Sequence, residues 1–257
     1  MRRATDLLAA ELRKAVTLPA VGIGVLVTLL GSVAITLVNA LASRSALGTG
    51  SDGSAFENAF GAAPVGTVGA VVIGVVVIGS EYTASAAVDG GGRQITSTLT
   101  AAPHRVRLLA AKAGTTALVV LLSAAVTLPA TVLVARAVLG GAPETVAPGD
   151  AVLRVLGAAA YWVLTALIAG AITTLTRSGI VPLIVLIVNS TVVSVSYLLT
   201  RLTPLAHWLP DMAGRWLLAG IDTVPGGLAV LPGALVMVGW TVALLVVAAL
   251  VLHRRDA

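Results

Sequence analysis

The chain contains no cysteine, which excludes disulfides, iron–sulfur clusters, thiolate-held haem and Cys-based zinc sites. Its three histidines, His104, His207 and His253, are scattered, so no His-based metal centre is expected. Charge is also scarce: Asp, Glu, Lys and Arg make up 11% of residues, against roughly 25% in ordinary soluble domains. The only lysines are Lys14 and Lys112, and neither follows a glycine, so the Gly-Lys-Ser/Thr element of a phosphate-binding loop is missing. Gly90-Gly91-Gly92-Arg93 is accordingly read as a hinge. The H-E-x-x-H pattern, paired intramembrane aspartates and a buried Ser with His are absent as well. No catalytic, cofactor-binding or metal residue is assigned, and the chain is not expected to be an enzyme by itself.

What the chain has instead is apolar length. Hydrophobic residues form 58% of it and the mean hydropathy is +1.02. Six runs carry this character: Thr17–Leu41, Pro64–Ser80, Leu108–Leu139, Ala151–Leu175, Ile180–Leu199 and Val224–Leu252. Each is near or above the roughly 20 residues that a helix needs to cross about 30 Å of hydrocarbon. Barrel strands alternate over about ten residues, whereas Val71–Ile78 and Val181–Val188 are continuous, so helices are expected. The predicted fold class is all-α: a polytopic membrane protein with six transmembrane helices, forming one transmembrane domain over 1–257. Arg2 and Arg3 precede a run ending in Ala40-Leu41-Ala42, a signal-peptidase-like ending. That run exceeds the roughly 7–15 residues of a secretory core, so it is read as an uncleaved first span.

Basic residues report orientation. Alternating the segments places Arg2, Arg3, Arg13, Lys14, Arg93, Arg105, Arg107, Lys112, Arg177, Arg254 and Arg255 on the side of the N-terminus, eleven of the sixteen. Both termini are therefore expected to be cytoplasmic. The basic balance reflects this side preference, and no nucleic-acid partner is expected. The opposite side receives the connections 42–63, 140–150 and 200–223, none large enough for a folded domain. Between spans four and five, Thr176-Arg177-Ser178-Gly179 makes a tight hairpin in which Gly179 suits the end of the preceding helix.

The spans hold almost no ionisable groups away from their ends, which disfavours an ion-coupled carrier. Their densest polar cluster lies on span five, with Asn189, Ser190, Thr191 and Ser194. It reads either as the lining of a substrate path or partner contact, or as hydroxyls bonding their own helix. Tyr161, Trp162, Trp208 and Trp216 read as interfacial anchors or packing, and Leu205–Leu218 as a short helix on the outer surface.

Two cytoplasmic elements stand out. Leu8, Leu12, Ala15 and Val16 recur at helical spacing within Thr5–Val16, with Asp6, Arg13 and Lys14 off that stripe, which predicts an N-terminal interfacial helix. Between spans two and three, 81–107 is far too long for a minimal hairpin, and Gln94–Ala102 is predicted as a short helix bounded by Gly90–Gly92 and Pro103. Glu81 is expected to form a structural ion pair with Arg105 or Arg107.

Glu81-Tyr82, then Gln94-Ile95-Thr96-Ser97-Thr98-Leu99-Thr100, Pro103, Arg105 and Ala111-Lys112, resembles the second-to-third-span region of ABC type-2 transporter permeases. Glu11-Leu12-Arg13-Lys14 is similar to that family's elbow helix, and Leu209-Pro210-Asp211-Met212-Ala213-Gly214 to a pattern before its last span. With six spans and both ends inside, the resemblance covers essentially the whole chain. It departs in one place, where roughly Ala84–Gly91 is extra relative to the family spacing.

The resemblance implies the permease subunit of an ABC exporter in the bacterial cytoplasmic membrane. ATP and Mg would then sit on a separate ABC ATP-binding subunit, with a second identical or related permease copy and membrane lipid as further partners. It implies that 81–107 is the coupling region, with Arg93, Gln94, Pro103, His104, Arg105 and Arg107 docking the ATPase. The substrate would be amphipathic or hydrophobic, such as a drug, a peptide antibiotic or a lipid, and self-protection against an antibiotic is a compatible role. The alternative is a membrane scaffold or bacteriocin-immunity protein without transport.

Overall fold

The computed structural model of the chain describes residues 4–46, 54–80, 105–140, 144, 146–191, 195–219 and 226–254. All its regular elements are helical. They are α1 (Ala4–Thr17), α2 (Pro19–Leu26), a π-helical turn (Val27–Gly31), α3 (Ser32–Ala46), α4 (Ala55–Phe60), α5 (Ala63–Gly79) and α6 (Arg105–Leu139). After these come α7 (Pro148–Thr176), α8 (Ile180–Thr191), α9 (Val195–Thr200), a 3-10 turn (Pro204–Trp208), α10 (Pro210–Ala213), α11 (Arg215–Ala219) and α12 (Val230–Arg254).

Among the described residues, five stretches are long and apolar enough to cross a membrane: Pro19–Ser45, Ala55–Gly79, Arg105–Leu139, Pro148–Thr176 and Val230–Arg254. This fits a multi-pass membrane protein. The run Ile180–Leu199 differs from expectation: it forms α8 and α9, and its apolar helical stretch is the shorter Ile180–Asn189. The second crossing stretch begins earlier than the apolar run, because α4 precedes α5 with only a two-residue turn between them. Prolines sit in the first turns of α2, α5 and α7, where the missing N–H has no helical partner to lose.

The two ends of the bundle are defined by packing. Ile78, Leu109, Ala171 and Ala248 cluster at one end, together with Leu252 and Leu175. Ala40, Ala55, Ala59, Ala135 and Leu139 cluster at the other. The stretch α2–α3 and helix α6 therefore run one way, while α5, α7 and α12 run back. The first of these two ends also carries α1.

Helix α5 is the centre. Its span is 67% buried within the bundle, whereas that of α12 is 17% buried. The reason is residue size. Gly69 meets the backbone of Gly24 and Thr28, and Gly66 lies under the indole of Trp162. Gly74 abuts the Ala166 carbonyl. Lipid tails are as apolar as leucine, so helices gain by close backbone approach rather than by leaving water, and glycine permits that approach. The π-helical turn occupies the crossing where Thr28 faces Gly69 and Gly31 faces Val65. Within it the Thr28 hydroxyl donates to the Gly24 carbonyl at 3.0 Å. Trp162, fully buried, donates its indole N–H to the Ala63 carbonyl at 3.1 Å, which assigns it to packing.

The predicted N-terminal helix forms as α1, with Leu8 and Val16 exposed and Glu11 and Ala15 turned inward where it packs on α6. Two local expectations are corrected. The hairpin after α7 uses Arg177, not Gly179, as its left-handed residue, with φ 51°. The Thr176 hydroxyl supports that turn by accepting from the Ser178 amide and donating to the Ile172 carbonyl at 2.9 Å. The Leu205–Leu218 region is not one surface helix but a 3-10 turn followed by α10 and α11, and it buries Ala206, Met212 and Ala213.

Gly74→Val places a branched side chain against the Ala166 backbone and is expected to destabilise the bundle by about 1–3 kcal/mol. Gly22→Ala, with nothing within 4 Å of the added methyl, is expected to leave it unchanged. Thermal unfolding of the two variants in one detergent checks the difference.

Candidate functional site

The end of the bundle that carries α1 is where the resemblance predicts coupling. Arg93, Gln94, Pro103, His104 and Glu81 lie outside the described residues, as does the Gln94–Ala102 helix. Arg105 and Arg107 open α6. Arg107 is exposed, whereas Arg105 reaches across the bundle end and donates from Nη1 to the Leu252 carbonyl at 2.9 Å. That carbonyl belongs to the last turn of α12, whose oxygens have no helical donor left, and a guanidinium there also complements the negative end of the helix dipole.

Two turns further along α6, Lys112 Nζ lies 2.7 Å from Glu11 Oε2 on α1, with side chains only 5% and 9% exposed. The sequence reading does not contain this pair: it points to Glu81 as the paired acid and places Glu11 only in the segment similar to an elbow helix. A signal was present nonetheless. Lys112 is one of two lysines and falls inside the third apolar run, and Glu11 shares a helical stripe with Leu7 and Ala15. A cation in such a run needs a partner, because unpaired charge is costly away from water. The pair joins α1 to the helix that directly follows segment 81–104. Gly114, also on α6, brings Leu8 of α1 close to its backbone. Movement of α6 at this end is thereby tied to movement of α1 and, through Arg105, of α12.

The opposite end holds a second polar network. Glu144 Oε2 accepts from the Ser54 hydroxyl at 3.0 Å and from the Phe56 amide at 3.2 Å. Its Oε1 lies 3.1 Å from Arg136 Nε. Ser54 also caps α4 by accepting from the Glu57 amide. Glu57 in turn holds Arg154 of α7 at 2.6 Å, and that guanidinium stands over the Phe56 ring. Partial burial pulls the Glu144 carboxyl up, but the Phe56 amide, Arg136 and Ser54 outweigh it and hold its pKa below the ordinary glutamate value. One carboxylate thus fastens the α6–α7 connection to the start of α4.

The polar cluster of span five is brought together only in part. Asn189 donates to Asp211 Oδ2 at 2.7 Å and accepts from the Ser196 amide at 3.2 Å. It therefore ties α8 to α9 and to α10, a use for its amide that serves the fold. Ser190 and Thr191 lie in the last turn of α8, and Ser194 is outside the described residues. Beside this junction, the Arg201 and Arg215 guanidinium groups stand 5.4 and 5.6 Å from the Tyr197 ring centroid. Among the described residues no group of three or more His, Cys, Asp or Glu is arranged to hold a metal ion.

No protein-family model and no curated protein matches this chain.

Removing Lys112 leaves the buried Glu11 carboxylate without its cation. Lys112→Ala is expected to cost about 3–5 kcal/mol, and the double change Glu11→Leu with Lys112→Met to recover most of it. Thermal unfolding of the three forms measures this. For Glu144 the folded pKa is depressed, so its contribution is complete above the unfolded value of about 4.3 and is lost as pH falls through the lower folded value. Stability is expected to drop on acidification below about pH 5, and Glu144→Gln to flatten that drop in a pH series of unfolding temperatures.

Proposed function

We propose that this chain is the membrane subunit of an ABC exporter, working with a separate ATP-binding subunit and a second permease copy in a bacterial cytoplasmic membrane. In this reading the chain has six spans, the run Ile180–Leu199 being the fifth, and both termini are cytoplasmic. ATP-driven closure of the partner pushes on segment 81–107, and the spans rock to release an amphipathic or hydrophobic substrate outward.

The observation that carries the reading is the junction of Glu11 with Lys112. The segments similar to the family's elbow helix and to its second-to-third-span region lie about a hundred residues apart in sequence, and the 2.7 Å pair joins them. The pair stands beside the point where α5 ends at Gly79 and α6 begins at Arg105, so whatever moves the intervening segment acts on α1 as well. A phosphate-binding loop is absent from the sequence, which is why the nucleotide chemistry is assigned to another polypeptide.

Affinity capture of the tagged chain from its native host, in mild detergent with ATP and vanadate, is expected to recover a stoichiometric ATP-binding subunit. Arg107→Glu, at an exposed position, is expected to reduce that recovery at least tenfold while leaving the permease intact by gel filtration. Recovery of the chain alone would overturn the reading in favour of a scaffold or immunity protein.

A further inference from the structure

At the end of the bundle opposite α1, helices α7, α11 and α12 enclose a half-open groove of about 300 Å³, lined by Asp150, Leu153, Arg154, Gly157, Trp216, Leu217 and Val230. That size is at the lower end of small-molecule sites. Gly157 sets its floor: a Cβ there would lie 2.8 Å from the Leu217 carbonyl, so the glycine lets α11 settle against α7. The rim opens sideways onto the apolar exterior, since Leu153 and Val230 are exposed and continue into exposed Val152, Leu156 and Leu231. A ligand with an apolar portion therefore reaches the groove from the surrounding leaflet.

Its charge is unbalanced. Arg154 is already answered by Glu57 at 2.6 Å on its other side. Asp150 is exposed in the first turn of α7, and among the described residues its carboxylate enters no hydrogen bond or ion pair. Asp150, Arg154 and Glu57 sum to one negative charge, and Arg215, which precedes Trp216 on α11, is turned to Met212 and the Tyr197 ring. A carboxylate, an indole and an apolar trough are the components that recognise an alkylated cation, with cation–π attraction supplementing the ion pair.

We propose that this groove binds an amphipathic cation, its charged head between Asp150 and Trp216 and its alkyl portion along Leu153, Gly157, Leu217 and Val230. The site lies on the side that the distribution of basic residues assigns to the outside. As the substrate class of the exporter it rests on the reading above; as a binding site it does not, and equilibrium binding to the chain without any ATPase keeps the two separable.

The test uses the purified full chain in nanodiscs of zwitterionic phospholipid, with a bromoalkyl-trimethylammonium as probe and tryptophan quenching as readout. Saturable quenching is expected, with Trp216→Phe removing it, Asp150→Asn weakening the probe at least tenfold and Asp150→Glu restoring it. A bromoalkyl sulfate of equal chain length is expected to bind at least tenfold more weakly. Competition by a two-chain cationic lipid placed in the nanodisc identifies the bilayer as the natural source, and lack of competition identifies a free single-chain amphiphile; both uphold the site. Equal quenching by cation and sulfate, or an Asp150→Asn variant that binds like the parent and elutes like it on gel filtration, overturns the proposal.

Discussion

Lipid offers the backbone no hydrogen bonds, and the architecture follows from that constraint. Each crossing segment must close its own backbone bonds, so each is a helix. Once the helices exist, leaving water no longer drives them together, and the bundle depends on how closely their backbones approach. Gly66, Gly69 and Gly74 on α5 answer this requirement against α7 and the first crossing stretch. The outer helices keep branched apolar side chains toward lipid, as with Leu231, Leu235 and Val246 on α12.

Polar chemistry is accordingly pushed to the two ends, where it does mechanical work of different kinds. At the α1 end, Glu11–Lys112 and the Arg105–Leu252 contact tie α1 and α12 to the start of α6. A buried ion pair adds little net stability over an apolar pair of the same shape, but it is intolerant of a missing partner. Its value in this position is to hold one orientation of α1. At the opposite end Glu144 and Glu57 collect α4, α6 and α7 through partly exposed contacts, which are weaker individually and open to pH and salt.

The candidate site was legible to different depths. Arg105 and Arg107 are marked by the resemblance to a coupling region, and the structure places both in the first turn of α6. The partner of Arg105 could not be read: it is a backbone carbonyl 147 residues away, and a carbonyl leaves no mark in sequence. Asn189 was marked as polar within an apolar run, but its bond to Asp211 depends on α10 folding back against the bundle. For α1, the apolar stripe is visible in sequence, whereas the inward turn of Glu11 depends on Lys112, 101 residues away on α6.

Sequence alone determined that this is a chain of long apolar helices, that its charge collects at their ends, and roughly where each helix starts and stops. Those are properties of residue type and of spacing within about twenty residues, and the solvent enforces them locally. Tertiary structure alone decided that α5 is central, that Arg177 takes the left-handed turn, that Glu11 finds Lys112 and that a groove opens beside Trp216. Each of these depends on which helix faces meet across the bundle. Glycine positions permit such meetings, but only simultaneous packing of all the helices selects among them.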